Sequence, residues 1–505
     1  MHGGQVLLFL IGTTAVTTVL PLVRRKPIAW SWVVLQSAFA LACVAGYVFE
    51  PRMGEWLIGP YAVLGFLPLI ALRWMMRELA ARRYRSAAAF ARLARVLHPF
   101  GRRSGWLEVI EASRLASEGK LDEAEAVLQR TSALGAESCR IEILRLRGQW
   151  DELMRSIEAS AADPLDHAYA PLYVRALGET GQLERLIELY LRADAKWATV
   201  DPTSEQVAST RLFTAAFLGC PELVTSIASG VARYAAPVRT FWTATALAAA
   251  GELERAGALW DELARDPDQR VRAMADRRRT APPRRAAEVA GRDVAIAKLT
   301  AAATDVGTYT ARASATHRPD LSYTLAAALV AVQIYVSYRS GRDPQALDDL
   351  GMFCSPAVLR GEWWRVGAAM FLHAGWLHLA LNVIALVMLG PFVEQFLGRW
   401  RFALIYVLAG VGGFAVLLGI EALGWRDPRP VIGASGSIMG LIGASTAIFV
   451  RGTVSARSQV ASTRLRRMIA IVATQVVFDV MVPNVSMTCH VVGLVIGFVV
   501  AIALR

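Results

Sequence analysis

The chain has 505 residues, 55% of them hydrophobic and 19% charged, with a mean hydropathy of +0.39. It is too apolar for an ordinary soluble protein and long enough for several domains. Its net charge of +12 does not call for nucleic acid, because the arginines cluster beside apolar runs, where membrane topology is the simpler cause. The five cysteines (43, 139, 220, 354 and 489) show no CxxC spacing, so no metal is expected and nothing demands a disulfide.

Three apolar runs open the chain, at about 4–23, 28–49 and 56–76, each long enough to cross a bilayer. The first lacks the cationic start of a signal peptide, so it reads as a span. Arg24, Arg25 and Lys26 follow it, the connection EPRMGE between the second and third is slightly acidic, and Arg73, Arg77, Arg82, Arg83 and Arg85 follow the third. Positive-inside bias predicts an external N-terminus and a cytoplasmic residue 80.

The middle of the chain carries a repeat. From its turn glycines it reads GKLDEAEAVL (Gly119), GQWDELMRSI (Gly148), GQLERLIELY (Gly181), GCPELVTSIA (Gly219) and GELERAGALW (Gly251), at spacings of 29, 33, 38 and 32 residues. Helix, glycine turn, helix at this period resembles the tetratricopeptide repeat, which stacks into a solenoid. The resemblance covers about 105–265; its functional reading is a docking surface for a cytoplasmic protein partner, with a spacer or folding aid as the alternative. His98 and His167 are isolated and read as solvent-facing or structural. The stretch DRRRTAPPRR (276–285) reads as a solvated basic linker.

Six further apolar runs follow, at about 321–338, 366–390, 401–420, 432–450, 468–483 and 488–504. Arg451, Arg457, Arg464, Arg466 and Arg467 lie between the fourth and fifth with no acid among them, which predicts a cytoplasmic connection. Counting back places residue 320 in the cytoplasm too, in agreement with the N-terminal runs. The expected organisation is three transmembrane helices (1–80), helical repeats (81–275), a basic proline-containing linker with a possible helix (276–319) and six transmembrane helices (320–505).

Ionisable and catalytic-type side chains are costly in lipid and point to function by default. The last six runs hold His378, Ser435 and His490. Ser435 precedes Arg451 by 16 residues, His490 precedes Arg505 by 15 and His378 precedes Glu394 by 16. At 1.5 Å per residue all three lie about 22–24 Å above the inner boundary of a core roughly 30 Å thick. Gly436 with Gly440, and Gly493 with Gly497, form GxxxG steps on the helices of Ser435 and His490, so these helices can pack with backbones nearly touching. An alcohol becomes a nucleophile when a base takes its proton, so the pair forms a candidate dyad. His378 and Asn382, four apart on one helix face, supply donors for an oxyanion together with the Ser435 amide. A proton relay through intramembrane histidines is the rival from another class, and it would favour carboxylates at mid-depth, which are scarce here.

These residues resemble the rhomboid intramembrane serine proteases over about 320–505. The matching motifs are GASG at 433–436, HLALN at 378–382, the run from His490 through Gly493 to Gly497, the pair Trp364–Arg365, His373, and Glu394 in LGPFVEQFLG. The resemblance implies an all-α, polytopic membrane protein with a six-helix core, acting without a cofactor on transmembrane protein substrates near their extracytoplasmic end. Ser435 would be the nucleophile and His490 the base, and His378 and Asn382 the oxyanion donors. Gly433, Gly436, His373, Met439, Gly493, Trp364 and Arg365 would support them. The expected setting is a bacterial cytoplasmic membrane with the repeats and C-terminus inside, the lipid bilayer around the spans, and no nucleic acid as partner. Met439, Cys489 and Val492 depart from the residues the family often carries there. No aspartate is expected as a third member, and Asp479 reads as structural or water-exposed near the outer rim. A catalytically silent relative that binds or escorts membrane clients is the alternative.

Overall fold

A computed structural model describes residues 3–24, 30–97, 105–130, 136–159, 169–197, 201–229, 234–310, 319–341, 343, 345–482 and 485–504. His98 and His167 lie outside them. Among the described residues the structure is helical throughout, apart from an isolated antiparallel bridge between Phe353 and Val431. Two compact units are formed, Met1–Asp163 with Val480–Asn484, and Pro164–Asp479 with Val485–Arg505.

In the first unit, helices Gly3–Arg24 and Trp30–Phe49 pack through Leu8, Ile11, Ala15, Phe39 and Cys43, with Tyr61 closing the cluster. Pro60 ends a short helix, and a π-helical turn, Tyr61–Phe66, carries the chain into Leu67–Ala80. A π turn shifts carbonyls out of register, and the buried Gln36 donates Nε2 to one of them, Gly65 O, at 3.1 Å. The unit continues through Tyr84–Leu97 into two helical hairpins, Trp106–Ser117 with Leu121–Gln129 and Ala136–Arg147 with Trp150–Ala159.

Three more hairpins open the second unit: Ala170–Glu179 with Leu183–Trp197, Glu205–Phe217 with Pro221–Ser229, and Ala236–Ala250 with Leu253–Leu263. All five turn glycines, 119, 148, 181, 219 and 251, have φ between +73° and +93°. Residues with a Cβ avoid that region, which is why glycine marks each turn. The basic stretch after the hairpins is mostly exposed, as a solvated linker would be, but is anchored to the hairpins at a few points. Helix Gln269–Thr280 buries Arg278 against Glu179 at 2.7 Å, Arg284 pairs with Glu184 at 2.9 Å, and Ala286 N donates to Ala249 O at 2.9 Å. Acidic groups of the hairpins neutralise arginines that sequence proximity left unpaired. Helix Arg292–Thr310 follows.

The remaining long helices are named α1 (Asp320–Ser340), α2 (Trp376–Leu397), α3 (Arg399–Ala422), α4 (Ser435–Ser455), α5 (Gln459–Met481) and α6 (Met487–Ala503). Helix α4 is central: 72% of its apolar stretch is buried, against 28–39% for α1, α2 and α3. Its small residues allow this, and Ile438 and Leu441 join Leu329, Leu386, Phe402, Ile405 and Phe414 in one core. At the other end of α1, Glu394 of α2 accepts from Leu321 N (3.1 Å), Ser322 N (2.8 Å) and Ser322 Oγ (2.7 Å). It thereby satisfies free N–H groups of the first turn of α1.

Six described helices are long and apolar enough to cross a membrane: Trp30–Phe49, Met53–Ala80, α1, α2, α3 and α4. Nine were expected. Gly4–Leu20 and α6 are apolar but shorter. Helix α5 spends its first turns on Arg464, Arg466 and Arg467. The second of the C-terminal runs also starts later than expected, because residues 366–375 are taken up by the end of a short helix, Trp364–Ala368, and by turns, with Gly375 extended before Trp376.

Candidate active site

Ser435 is the first residue of α4, His378 lies in the first turn of α2 and His490 in the first turn of α6. Three helix N-termini, each the positive end of a helix dipole, thus carry the three polar residues. Negative charge developing on a substrate oxygen would be stabilised there.

Gly433 joins two of them. Its φ of +132° belongs to glycine, and its N–H donates to Ala369 O at 2.9 Å. A Cβ built on it would lie 2.9 Å from His378 Cε1, 3.0 Å from His378 Nε2 and 3.8 Å from Ser435 Oγ. The imidazole of His378 and the hydroxyl of Ser435 therefore flank one bare backbone position. The α4–α6 contact brings in the third. A Cβ on Gly493 would meet Gly436 O, one on Gly497 would meet Gly440 O, and one on Gly436 would lie 3.5 Å from Cys489 O, the residue before His490. Small residues at this seam set the helix separation.

His490 is 5% exposed. Its Nδ1 lies 2.8 Å from both carboxylate oxygens of Asp479 and 3.4 Å from Gln475 Nε2, which itself donates to Asp479 Oδ1 at 2.7 Å. The Asp479 side chain is 2% exposed, so it is not water-exposed, and it does stand as the residue next to the histidine. The family resemblance implied no aspartate as a third member, and of the two readings of Asp479, structural or water-exposed, its burial on α5 against α6 excludes the second. No hydrogen bond joins Ser435 Oγ to His490 among the described residues. Nucleophile–base contacts often close only when substrate binds.

Asn382 is buried and donates Nδ2 to His378 O at 3.0 Å. That leaves its second N–H for other work, since an amide nitrogen carries two. His373 is 1% exposed and meets the His378 ring edge to face, with centroids 5.1 Å apart at 70°. Among the described residues, His378 Nδ1 has no hydrogen-bond partner. Met439 is buried one turn into α4. Arg365 is buried, pairs with Glu362 (2.7 Å) and Asp348 (2.9 Å), and donates to Met352 O. Trp364 is half-exposed and its ring faces Gly351, where a Cβ would meet it. Both brace the segment before α2. Burial of a second acid, Glu421, which bonds Ser355 Oγ, carried no sequence signal.

A helical membrane core with a serine and two histidines at gathered helix ends defines the class: a polytopic membrane protein whose catalytic-type side chains lie at the N-termini of three helices. The family model described as Rhomboid domain matches residues 360–505. The chain is 31% identical over 188 residues to rhomboid protease GluP of Bacillus subtilis (strain 168), covering 37% of this chain and 35% of GluP. It is 30% identical over 144 residues to YdcA of the same strain, covering 28% of this chain and 68% of YdcA. Rhomboid protease AarA of Providencia stuartii is 29% identical over 163 residues, covering 29% of this chain and 57% of AarA. The chain belongs to the rhomboid family through this C-terminal segment. It spans only about a third of GluP's length.

Proposed function

We propose that the chain is an intramembrane serine endopeptidase that cuts transmembrane protein substrates near their extracytoplasmic end. The observation that carries this reading is the convergence of Ser435 Oγ and the His378 ring on Gly433, with His490 held beside the same seam by the close α4–α6 approach. Its support also comes from relatives named as rhomboid proteases.

In this mechanism the scissile carbonyl reaches Ser435 after the substrate helix enters laterally and partly unwinds. His490 takes the hydroxyl proton as the Oγ–carbon bond forms, and the oxyanion rests on the Ser435 amide, His378 and Asn382. His490 then gives its proton to the leaving amine, and water hydrolyses the acyl-enzyme. The arginines after α4 argue for a cytoplasmic α4–α5 connection, which puts the site toward the outer face. The helical hairpins would face the cytoplasm and dock a protein partner there.

Purified protein in liposomes should cut a reporter transmembrane substrate, and Ser435→Ala should abolish cutting. A fluorophosphonate should label wild type and not that variant. Cutting that survives Ser435→Ala refutes the reading; absence of both cutting and label favours a silent client-binding member.

A further inference from the structure

The Asp479–His490 pair has a setting that an incidental contact would lack. Between α4, α5 and α6 lies an apolar cavity of about 390 Å³, lined in part by Gly443, Ile469, Val472, Leu494 and Phe498. Along its middle, α5 therefore stands off from its neighbours, and Asp479, near its C-terminal end, still reaches His490 with both oxygens at 2.8 Å. A carboxylate on a membrane helix is retained only with a partner. Gln475, four residues earlier on the same face, fixes its orientation by donating to Oδ1. On the other side, Ser486 Oγ caps Cys489 N at 3.4 Å and Ser486 O accepts from His490 N at 3.1 Å, which fixes the turn that bears the imidazole.

We propose that Asp479 is a positioning residue for His490, so that the site works as a serine–histidine–aspartate triad with the acid supplied by α5. This rests on the protease reading above. An ionised carboxylate at Nδ1 keeps the proton on that nitrogen and leaves Nε2 as the free base. When Ser435 Oγ bonds to the scissile carbon, its proton moves to Nε2. The imidazolium so formed keeps its Nδ1–H, donated to Asp479, which stays ionised throughout. Nε2–H then passes to the leaving nitrogen as the carbon–nitrogen bond breaks. Asp479 touches neither substrate nor the reacting atoms; it acts through the histidine.

The test compares wild type, Ser435→Ala, Asp479→Asn and Asp479→Glu in liposomes with a reporter transmembrane substrate. Asp479→Asn should lower kcat by about a hundredfold or more while KM changes by less than about threefold. Fluorophosphonate labelling of Ser435 in the monodisperse fraction should slow in parallel, and Asp479→Glu should recover part of the loss. A purely structural role predicts the opposite: folded Asp479→Asn labels at the wild-type rate, with any loss of cutting matched by loss of folded protein. That result, or Asp479→Asn cutting within about threefold of wild type, overturns the triad and leaves the dyad standing. Cutting by Ser435→Ala overturns both.

Discussion

Gly493 faces the carbonyl oxygen of Gly436 so closely that a Cβ there would meet that oxygen and lie 3.0 Å from the carbonyl carbon. Backbone meets backbone, so neither side can yield by a rotamer change. Gly493→Ala should push α6 off α4 and cost about 1–3 kcal/mol by overpacking. Thermal unfolding in detergent should report the loss. Cutting should fall further than the folded fraction does, because the same shift moves His490 away from Ser435.

His378 and Gly433 form a second close pair. Gly433→Ala places a methyl 2.9 Å from the His378 ring at a backbone φ of +132°, so the ring must move. On the proposed mechanism His378→Ala removes an oxyanion donor and should lower kcat by about 10²–10³ with little change in KM. Gly433→Ala should approach that loss while retaining the fluorophosphonate label. A variant that lost its label and its activity together would mean that Ser435 itself had been displaced.

Glu394 serves folding, not chemistry. It accepts three hydrogen bonds at the start of α1 and lies 3.8 Å from Arg399. Glu394→Gln should lower stability by about 1–3 kcal/mol, read as an earlier thermal transition. Below that transition the per-molecule rate should stay at the wild-type level.

Asp201, in the loop before helix Glu205–Phe217, pairs with Arg467 near the start of α5 at 2.8 Å. Burial alone would raise its carboxyl, but bonds from the Thr203 hydroxyl and amide, and the Arg467 guanidinium, outweigh that and hold it below its ordinary value. Its folded value is depressed, so the stabilisation is present above about pH 4 and disappears as pH falls through the folded value. With side chains 30% and 55% exposed, the pair contributes about 0.5 kcal/mol. The difference in melting temperature between wild type and Asp201→Asn should be constant from pH 5 to 7 and vanish in more acidic buffer.

Some of this architecture could be read directly from the chain. Apolar runs of bilayer length announce helices because nothing else satisfies a backbone in lipid, and a histidine or serine stands out there because its burial is costly. Ser435, His378, His490, the turn glycines and the two GxxxG seams were visible for those local reasons. The grouping of the chain into compact units that divide at Asp163 and Pro164, inside the hairpin series, left no mark in the sequence. Arg278 shows what composition does not record in the basic stretch, since its partner Glu179 is 99 residues away.

By itself the sequence determined that the chain is helical with apolar runs of bilayer length, and it marked a few polar residues as candidates for one site, because periodicity and hydropathy are properties of neighbouring residues. Only the tertiary structure decided that Asp479 turns inward to His490, that Glu394 closes the first turn of α1 and that Arg365 is buried between two acids. Each of those depends on the rotation of one helix against another. A change of about 100° between successive residues on a helix separates a side chain facing lipid from one facing its partner, and a linear pattern of residues does not record that angle.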